Sequence, residues 1–435
     1  MEGLIVIIVI SILLFFMLTG VPLAFSLGLT GFLGLLIFSG LDTAINTVRL
    51  IVFESPQNFL LLAVPLFILM AELLVCCGIG TLAYEGIAKV FSGFKGGLAY
   101  ATIIMFTAMG AATGSSTACL GSIGPSAIKE MTERKYAGWL AAGVISGTGG
   151  IAIIIPPSIL MIVYGFIAEI SVSQLFIAGI LPGLLMAANY IITTAIIIKI
   201  NPKWAPASPS LSRKERIVAL RSVLPVVLLG IFVMAIIYAG LTTPTEAAAI
   251  GVFASFIIVV MYKKISKSNL LNALIATVKV TGFALIIVVG ALIFGFMMSY
   301  LRLPNYLAQW TLGFNLSPMM LIVAVMVLLF FLGCIMDTIS IVLIVVPIIL
   351  PMLLTHGMNP IWLGLIICMN MEIALSTPPL GMNLFVVAGI AKPFGITYEE
   401  LLIGNIPYIL SNIVSLTLVI IYPNIALWLP NLMSP

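Results

Sequence analysis

Charge is what this 435-residue chain has least of: Asp, Glu, Lys and Arg make up 7% of it, where a soluble globular domain carries about 25%. So little charge excludes a water-soluble fold. Histidine occurs once, at His356, which rules out a His-Glu-x-x-His zinc site. No Gly-x-x-x-x-Gly-Lys stretch is present, so there is no such loop to hold ATP. Aspartate occurs only at Asp42 and Asp337, and an intramembrane aspartyl protease would need two at depth. The five cysteines (Cys76, Cys77, Cys119, Cys334, Cys368) lie in apolar segments without metal-type spacing and read as small buried hydrophobes. These absences point away from an enzyme. Met1 to Thr19 has no basic n-region, so a cleaved signal peptide is not expected. The net charge of +4 comes from Lys and Arg confined to loops, which argues topology and not nucleic-acid binding.

Apolar residues fill the space that charge leaves. They form 62% of the chain, mean hydropathy is +1.31, and apolar runs near the roughly 20 residues of a bilayer span recur from end to end. The expected fold is an all-α polytopic membrane protein. Spans are expected at about 3–19, 22–39, 58–77, 137–166, 175–198, 223–239, 244–262, 282–300, a broken helix ending near Lys392, and 401–422. Residues 41–56, with Asp42, Arg49 and Glu54, are too polar to cross and read as an interfacial arm. Lys89 and Lys95 fall in a loop. Assigning every Lys and Arg except Arg49 and Arg302 to the cytoplasmic side fixes the orientation, with both termini periplasmic in a bacterial or archaeal cytoplasmic membrane.

The chain contains an internal repeat. Pro156-Pro157 precedes Pro378-Pro379 by 222 positions, and the same offset relates Pro125 to Pro347 and Pro22 to Pro244. Residues 1–200 form the first copy, 201–222 a Pro/Ser-rich basic linker, and 223–435 the second. Five crossings per copy make the copies inverted, a layout expected of secondary transporters. Each copy has a run flanked by same-side signals that reads as a re-entrant hairpin, with tips near 113–117 and 333–338. Each also has a Pro-Pro pair that breaks a spanning helix, near 148–157 and 373–381, because proline cannot donate the backbone bond and clashes with the preceding turn.

Polar groups collect at these tips and breaks. Ser115, Ser116 and Thr117 lie at one tip, Asp337 and Thr338 at the other, and Thr148 and Thr377 at the breaks. With backbone carbonyls freed around Gly114, Gly149, Gly333 and Gly381, they offer oxygens suited to a hard monovalent cation such as sodium. Taken singly, such hydroxyls equally suit satisfaction of helix backbone. Intramembrane acids are rare and count as functional candidates: Glu72, Glu246, Asp337 and Glu372. Asp337 suits either a cation or substrate role or tip-stabilising bonds to backbone amides. Glu246 follows a helix-starting proline and reads first as a first-turn acid. Thr117, Ser158, Glu372 and Asn383 are the candidate substrate contacts. No deep arginine is available to read a carboxylate.

At these residues the chain resembles, end to end, the large membrane subunit of TRAP (tripartite ATP-independent periplasmic) transporters. The matching segments are Gly114-Ser115-Ser116, Ile155-Pro156-Pro157-Ser158, Thr243-Pro244-Thr245-Glu246-Ala247, Met336-Asp337-Thr338 and Thr377 to Phe385. The resemblance implies sodium-coupled uptake of organic acids, an elevator mechanism, a small four-helix membrane subunit and a soluble periplasmic substrate-binding protein. It implies one sodium site from Gly114, Ser115 and Ser116 with the break from Gly149 to Pro156, and another from Gly333, Asp337 and Thr338 with Thr377 to Gly381. One departure stands out: where the family often has Gly-Thr-Leu-Gly, this chain has Gly149-Gly150-Ile151-Ala152, so Thr148 or bare carbonyls must replace that threonine. The alternative is a stand-alone sodium/dicarboxylate or citrate symporter of the same superfamily, which needs no binding protein.

Overall fold

The computed structural model describes residues 2–313, 317–379 and 381–433. Leu380, inside the second Pro-Pro motif, lies outside the described residues. Helix follows helix through the described chain. α1 (Glu2–Leu18) and α2 (Leu23–Ser39) lead to the amphipathic arm α3 (Leu41–Glu54), then to α4 (Ala63–Cys76) and α5 (Ile79–Val90). α6 (Gly97–Thr113) and α7 (Ser116–Glu133) form a packed pair around a two-residue turn. α8 (Gly138–Thr148) and α9 (Ile159–Ile167) are two halves separated by a 3-10 turn (Gly149–Ile153) and the first Pro-Pro pair. α10 (Val172–Ile200) ends this half. α11 (Arg213–Tyr238), α12 (Pro244–Met261), α13 (Lys267–Tyr300) and α14 (Leu303–Gly313) follow. A second packed pair, α15 (Pro318–Gly333) and α16 (Thr338–Thr355), precedes a second divided helix, α17 (Pro360–Leu375) and α18 (Met382–Ala391). α19 (Tyr398–Ile421) and α20 (Asn424–Asn431) close the described chain.

Among the described residues six helices are long and apolar enough to cross a membrane alone, or seven if α4 and α5, bent by 64°, count as one, and further apolar helices are shorter. This is a multi-pass membrane protein. α11 keeps Ile217, Leu224 and Ile231 exposed, as expected of a lipid-facing wall, while α8, α9 and α17 are buried almost throughout. Without a hydrophobic drive between helices in lipid, close packing needs small residues. Gly143 and Gly404 supply them where α8 meets α19: a Cβ on Gly404 would fall 1.8 Å from the Trp139 carbonyl oxygen.

Several expected boundaries are corrected. The expected loop after residue 77 contains α5, which starts after Gly78 at φ +69° and buries Ile79, Ala83, Tyr84 and Ile87 on one face. A short amphipathic helix of this kind is invisible to a search for long apolar runs. α11 begins at Arg213, ten residues before the expected span at 223, because Ser212 and Glu215 form a reciprocal capping box. α13 likewise absorbs the basic stretch from Lys267, and α14 lies between the expected span at 282–300 and the second hairpin. Basic residues end the membrane-buried part of a helix but not the helix itself. The linker is tied down: Gly93 N–H donates to the Ser208 carbonyl (3.1 Å), Gly96 N–H to Ala205 (3.0 Å), and Arg216 to the Ser92 carbonyl (2.7 Å).

Candidate ion and substrate site

The first tip is built by Gly114 and Ser115. Gly114 sits at φ +61°, left-handed backbone that favours glycine, and a Cβ there would fall 2.4 Å from the Pro157 carbonyl oxygen. That close approach seats the tip on the first break, where Ile159 N–H also donates to the Gly114 carbonyl (3.4 Å). Ser115 caps α7 by accepting from Ala118 N–H (3.4 Å). Neighbouring side chains then part ways. Ser115 and Thr117 hydroxyls are 3.2 Å apart and line a cavity of about 260 Å³ with Glu72 and Gly121, whereas buried Ser116 donates to Asn383 Oδ1 at 2.7 Å.

Asn383 belongs to the other break, so the first tip touches both. From there a buried polar chain continues: Asn383 Nδ2 donates to Ser376 Oγ (3.4 Å), and Ser376 Oγ lies 3.4 Å from both Glu372 Oε1 and the Ser146 carbonyl oxygen. Asn405 of α19 donates to the Ser376 carbonyl and accepts from Ser146 Oγ (3.0 Å). Asn405 and Ser146 were missed from sequence. An asparagine inside the apolar α19 run was the available signal.

At the first break Thr148 donates to the Val144 carbonyl (2.5 Å), Ser158 donates to Ile153 (2.7 Å) while capping α9, and Gly149 lies against Leu120. Thr148, Gly149, Pro156 and Ser158 are all buried. The second tip is looser. Gly333 faces Ala374, but Asp337 turns its carboxylate onto its own helix, accepting from Ser340 N–H (3.0 Å) and from the Ser340 hydroxyl. Thr377 donates to the Ile373 carbonyl (2.6 Å), and Gly381 closes on the Thr377 backbone. Among the described residues no hydrogen bond joins Asp337 or Thr338 to Thr377 or Gly381. Pro378 and Pro379 are exposed.

Two remaining acids separate clearly. Exposed Glu246 forms a capping box with Thr243, the first-turn role expected of it. Glu72 accepts from Cys76 Sγ (3.5 Å) and faces the cavity at the first tip. The arrangement thus gathers neutral oxygens and the Glu72 and Glu372 carboxylates around the first tip and the breaks.

Comparison with known proteins matches residues 10–425 to the DctM component of the tripartite ATP-independent periplasmic transporters. A C4-dicarboxylate TRAP transporter large permease protein of Pseudomonas aeruginosa is 34% identical over 408 residues, covering 93% of this chain and 94% of that one. A sialic acid TRAP transporter large permease protein of Vibrio cholerae is 30% identical, covering 95% of each. In fold, the chain is similar to the Alcanivorax borkumensis YdaH transporter (TM-score 0.61, 15% identity, 92% of this chain and 91% of that one).

Proposed function

Since the chain belongs to the tripartite ATP-independent periplasmic transporters as their DctM component, the large membrane subunit and not an enzyme, we propose that it carries organic acids inward, driven by sodium. The substrate class is a carboxylate such as a C4-dicarboxylate or sialic acid, the cargoes in the names of its relatives. The family implies a small membrane subunit and a periplasmic binding protein as partners. Sodium is co-cargo. Gly114, Ser115, Ser116, Thr148, Gly149 and Pro156 would hold one ion, and Gly333, Asp337, Thr338, Thr377 and Gly381 another. Thr117, Ser158 and Asn383 would face the substrate.

The observation that carries this reading is the first tip resting on both helix breaks, through Gly114 on Pro157 and Ser116 on Asn383. A site closed by a hairpin tip over two half-helix ends can open only by moving that tip or the whole body. The inverted-repeat reading is supported by reciprocal packing: α7 lies on α18 as α16 lies on α9, and α8 on α19 as α17 on α10. Inward movement of that inner body against the lipid-facing helices would be an elevator. An anionic substrate entering a low-dielectric site needs its charge offset, which bound sodium provides.

The test is uptake into proteoliposomes holding this subunit and its small partner. Uptake should require an inward sodium gradient and the cognate binding protein outside. Full uptake by this chain alone would assign it to stand-alone carriers, and sodium-independent uptake would overturn the coupling.

A further inference from the structure

Glu372 has no exposed surface, and its Oε2 has no hydrogen-bond partner. The carboxylate lies flat against Gly150: a Cβ there would fall 1.4 Å from Oε2 and 1.9 Å from Oε1. Gly150 is the position where the related pattern has threonine, and it precedes Glu372 by 222 residues, the spacing of the sequence repeat. A carboxylate thus occupies the space that a side chain at 150 would fill.

Among the described residues no cationic side chain is set beside it. The helices and the turn packed on α17 bring the titratable groups Tyr164 (α9), Tyr190 and Lys199 (α10), and Tyr398, Glu399, Glu400 and Tyr408 (α19), while α17 itself carries Cys368. Lys199 stands in the last turn of α10, and Glu399 and Glu400 in the first turn of α19, at helix ends. The tyrosines and the thiol carry no positive charge. α15, α16, α18, α20 and the 3-10 turn contribute none. A buried carboxylate without a counter-charge is strongly disfavoured. The polar groups beside it are neutral: the Gly150 backbone N–H faces the carboxylate, the Ser376 hydroxyl donates to Oε1 at 3.4 Å, and the Ser146 carbonyl oxygen lies 3.4 Å from that hydroxyl. Among the described residues no group of three His, Cys, Asp or Glu could hold a multivalent metal, so one carboxylate calls for a single positive charge.

We propose that Glu372 is the anionic ligand of a buried monovalent-cation site between the two helix breaks, with Ser376 Oγ and the Ser146 carbonyl in its shell. This deepens the sodium-coupled reading and rests on it. Ser376 is bonded to Asn383, and Asn383 to Ser116, so an ion here braces the first hairpin tip.

The test uses the full chain, reading thermal unfolding by tryptophan emission during sodium chloride titration at constant ionic strength with choline. Sodium dependence of proteoliposome uptake is measured in parallel. Glu372→Gln keeps the size and removes the charge. It should raise the melting temperature in choline, remove most of the sodium-driven rise, and increase the sodium concentration for half-maximal uptake by about tenfold or more. Ser376→Ala should shift the same curves in the sodium-dependent direction but less, and it serves if the first variant does not fold. A wild-type sodium response left intact in both variants overturns this site alone. Equal destabilisation by Glu372→Gln in choline and sodium makes the carboxyl structural and also overturns it. A wild type stabilised by acid but not by sodium overturns both this site and the sodium coupling.

Discussion

The two hairpin tips carry related sequences and occupy corresponding places, yet they are held differently. The first is seated: Gly114 presses on the Pro157 carbonyl, Ser116 reaches Asn383, and the break beneath it is buried throughout. The second turns its only acid onto its own helix, and the break beside it shows Pro378 and Pro379 at the surface. Two segments related by the same 222-residue spacing are thus held differently, one buried against its break and one beside exposed prolines.

The largest expected effect is all or nothing. In a cysteine-free background, Pro379→Cys should react with an impermeant maleimide, and Ser158→Cys should not. Labelling of both to equal extent would mean that the first break opens as readily as the second and would end the comparison.

Next comes the glycine at each tip. Gly114→Ala forces a side chain into left-handed backbone, at about 1–2 kcal/mol, and adds a collision with main-chain oxygen that cannot move away cheaply. Gly333→Ala has ordinary backbone but meets the Ala374 Cβ, fixed to its own helix, at 2.5 Å, so it carries an overpacking cost of about 1–3 kcal/mol without the left-handed penalty. Gly114→Ala should therefore lower the melting temperature more. Equal losses would show that the first tip is no more tightly seated than the second.

Much of this difference was out of reach of the sequence. The Pro-Pro pairs, the turns at 114–115 and 334–337 and the apolar cores of most helices were legible, though not the helix ends, because proline, glycine and long apolar runs act locally, through backbone geometry and transfer free energy. That Ser116 pairs with Asn383, 267 positions away, depends on how α7 meets α18. The roles of Gly150 and Asn405 likewise follow from contacts between halves that no local pattern encodes. Asp337 drew attention from sequence, and the structure shows it as the cap of α16; a cap and an ion ligand ask for the same residue type, so the sequence alone could not choose between them.

A smaller effect sharpens the contrast further. Ser116→Ala removes a buried hydrogen bond and leaves Asn383 Oδ1 without its donor, for a loss of about 1–3 kcal/mol. Thr338→Ala, 222 positions on, should cost less than about 1 kcal/mol, since no hydrogen bond joins it to the second break among the described residues. Denaturation of the two variants side by side checks this. An equal loss would reveal a second-tip contact that the closed first tip obscures.

The smallest expected change in stability is the most informative about chemistry. Asn is as good an N-cap as Asp, so Asp337→Asn should leave the melting temperature nearly unchanged, whereas Asp337→Ala should cost about 1 kcal/mol by loss of the cap to Ser340. The two substitutions therefore separate capping from charge. If Asp337 holds sodium when the second break closes on it, Asp337→Asn weakens the sodium dependence of uptake with assembly intact. Ser115→Ala, which removes only a neutral oxygen and a long 3.4 Å cap, should act more mildly. If Asp337→Asn took up substrate with unchanged sodium dependence, Asp337 would be a capping residue only, and the charge at the centre of the molecule would rest on Glu372.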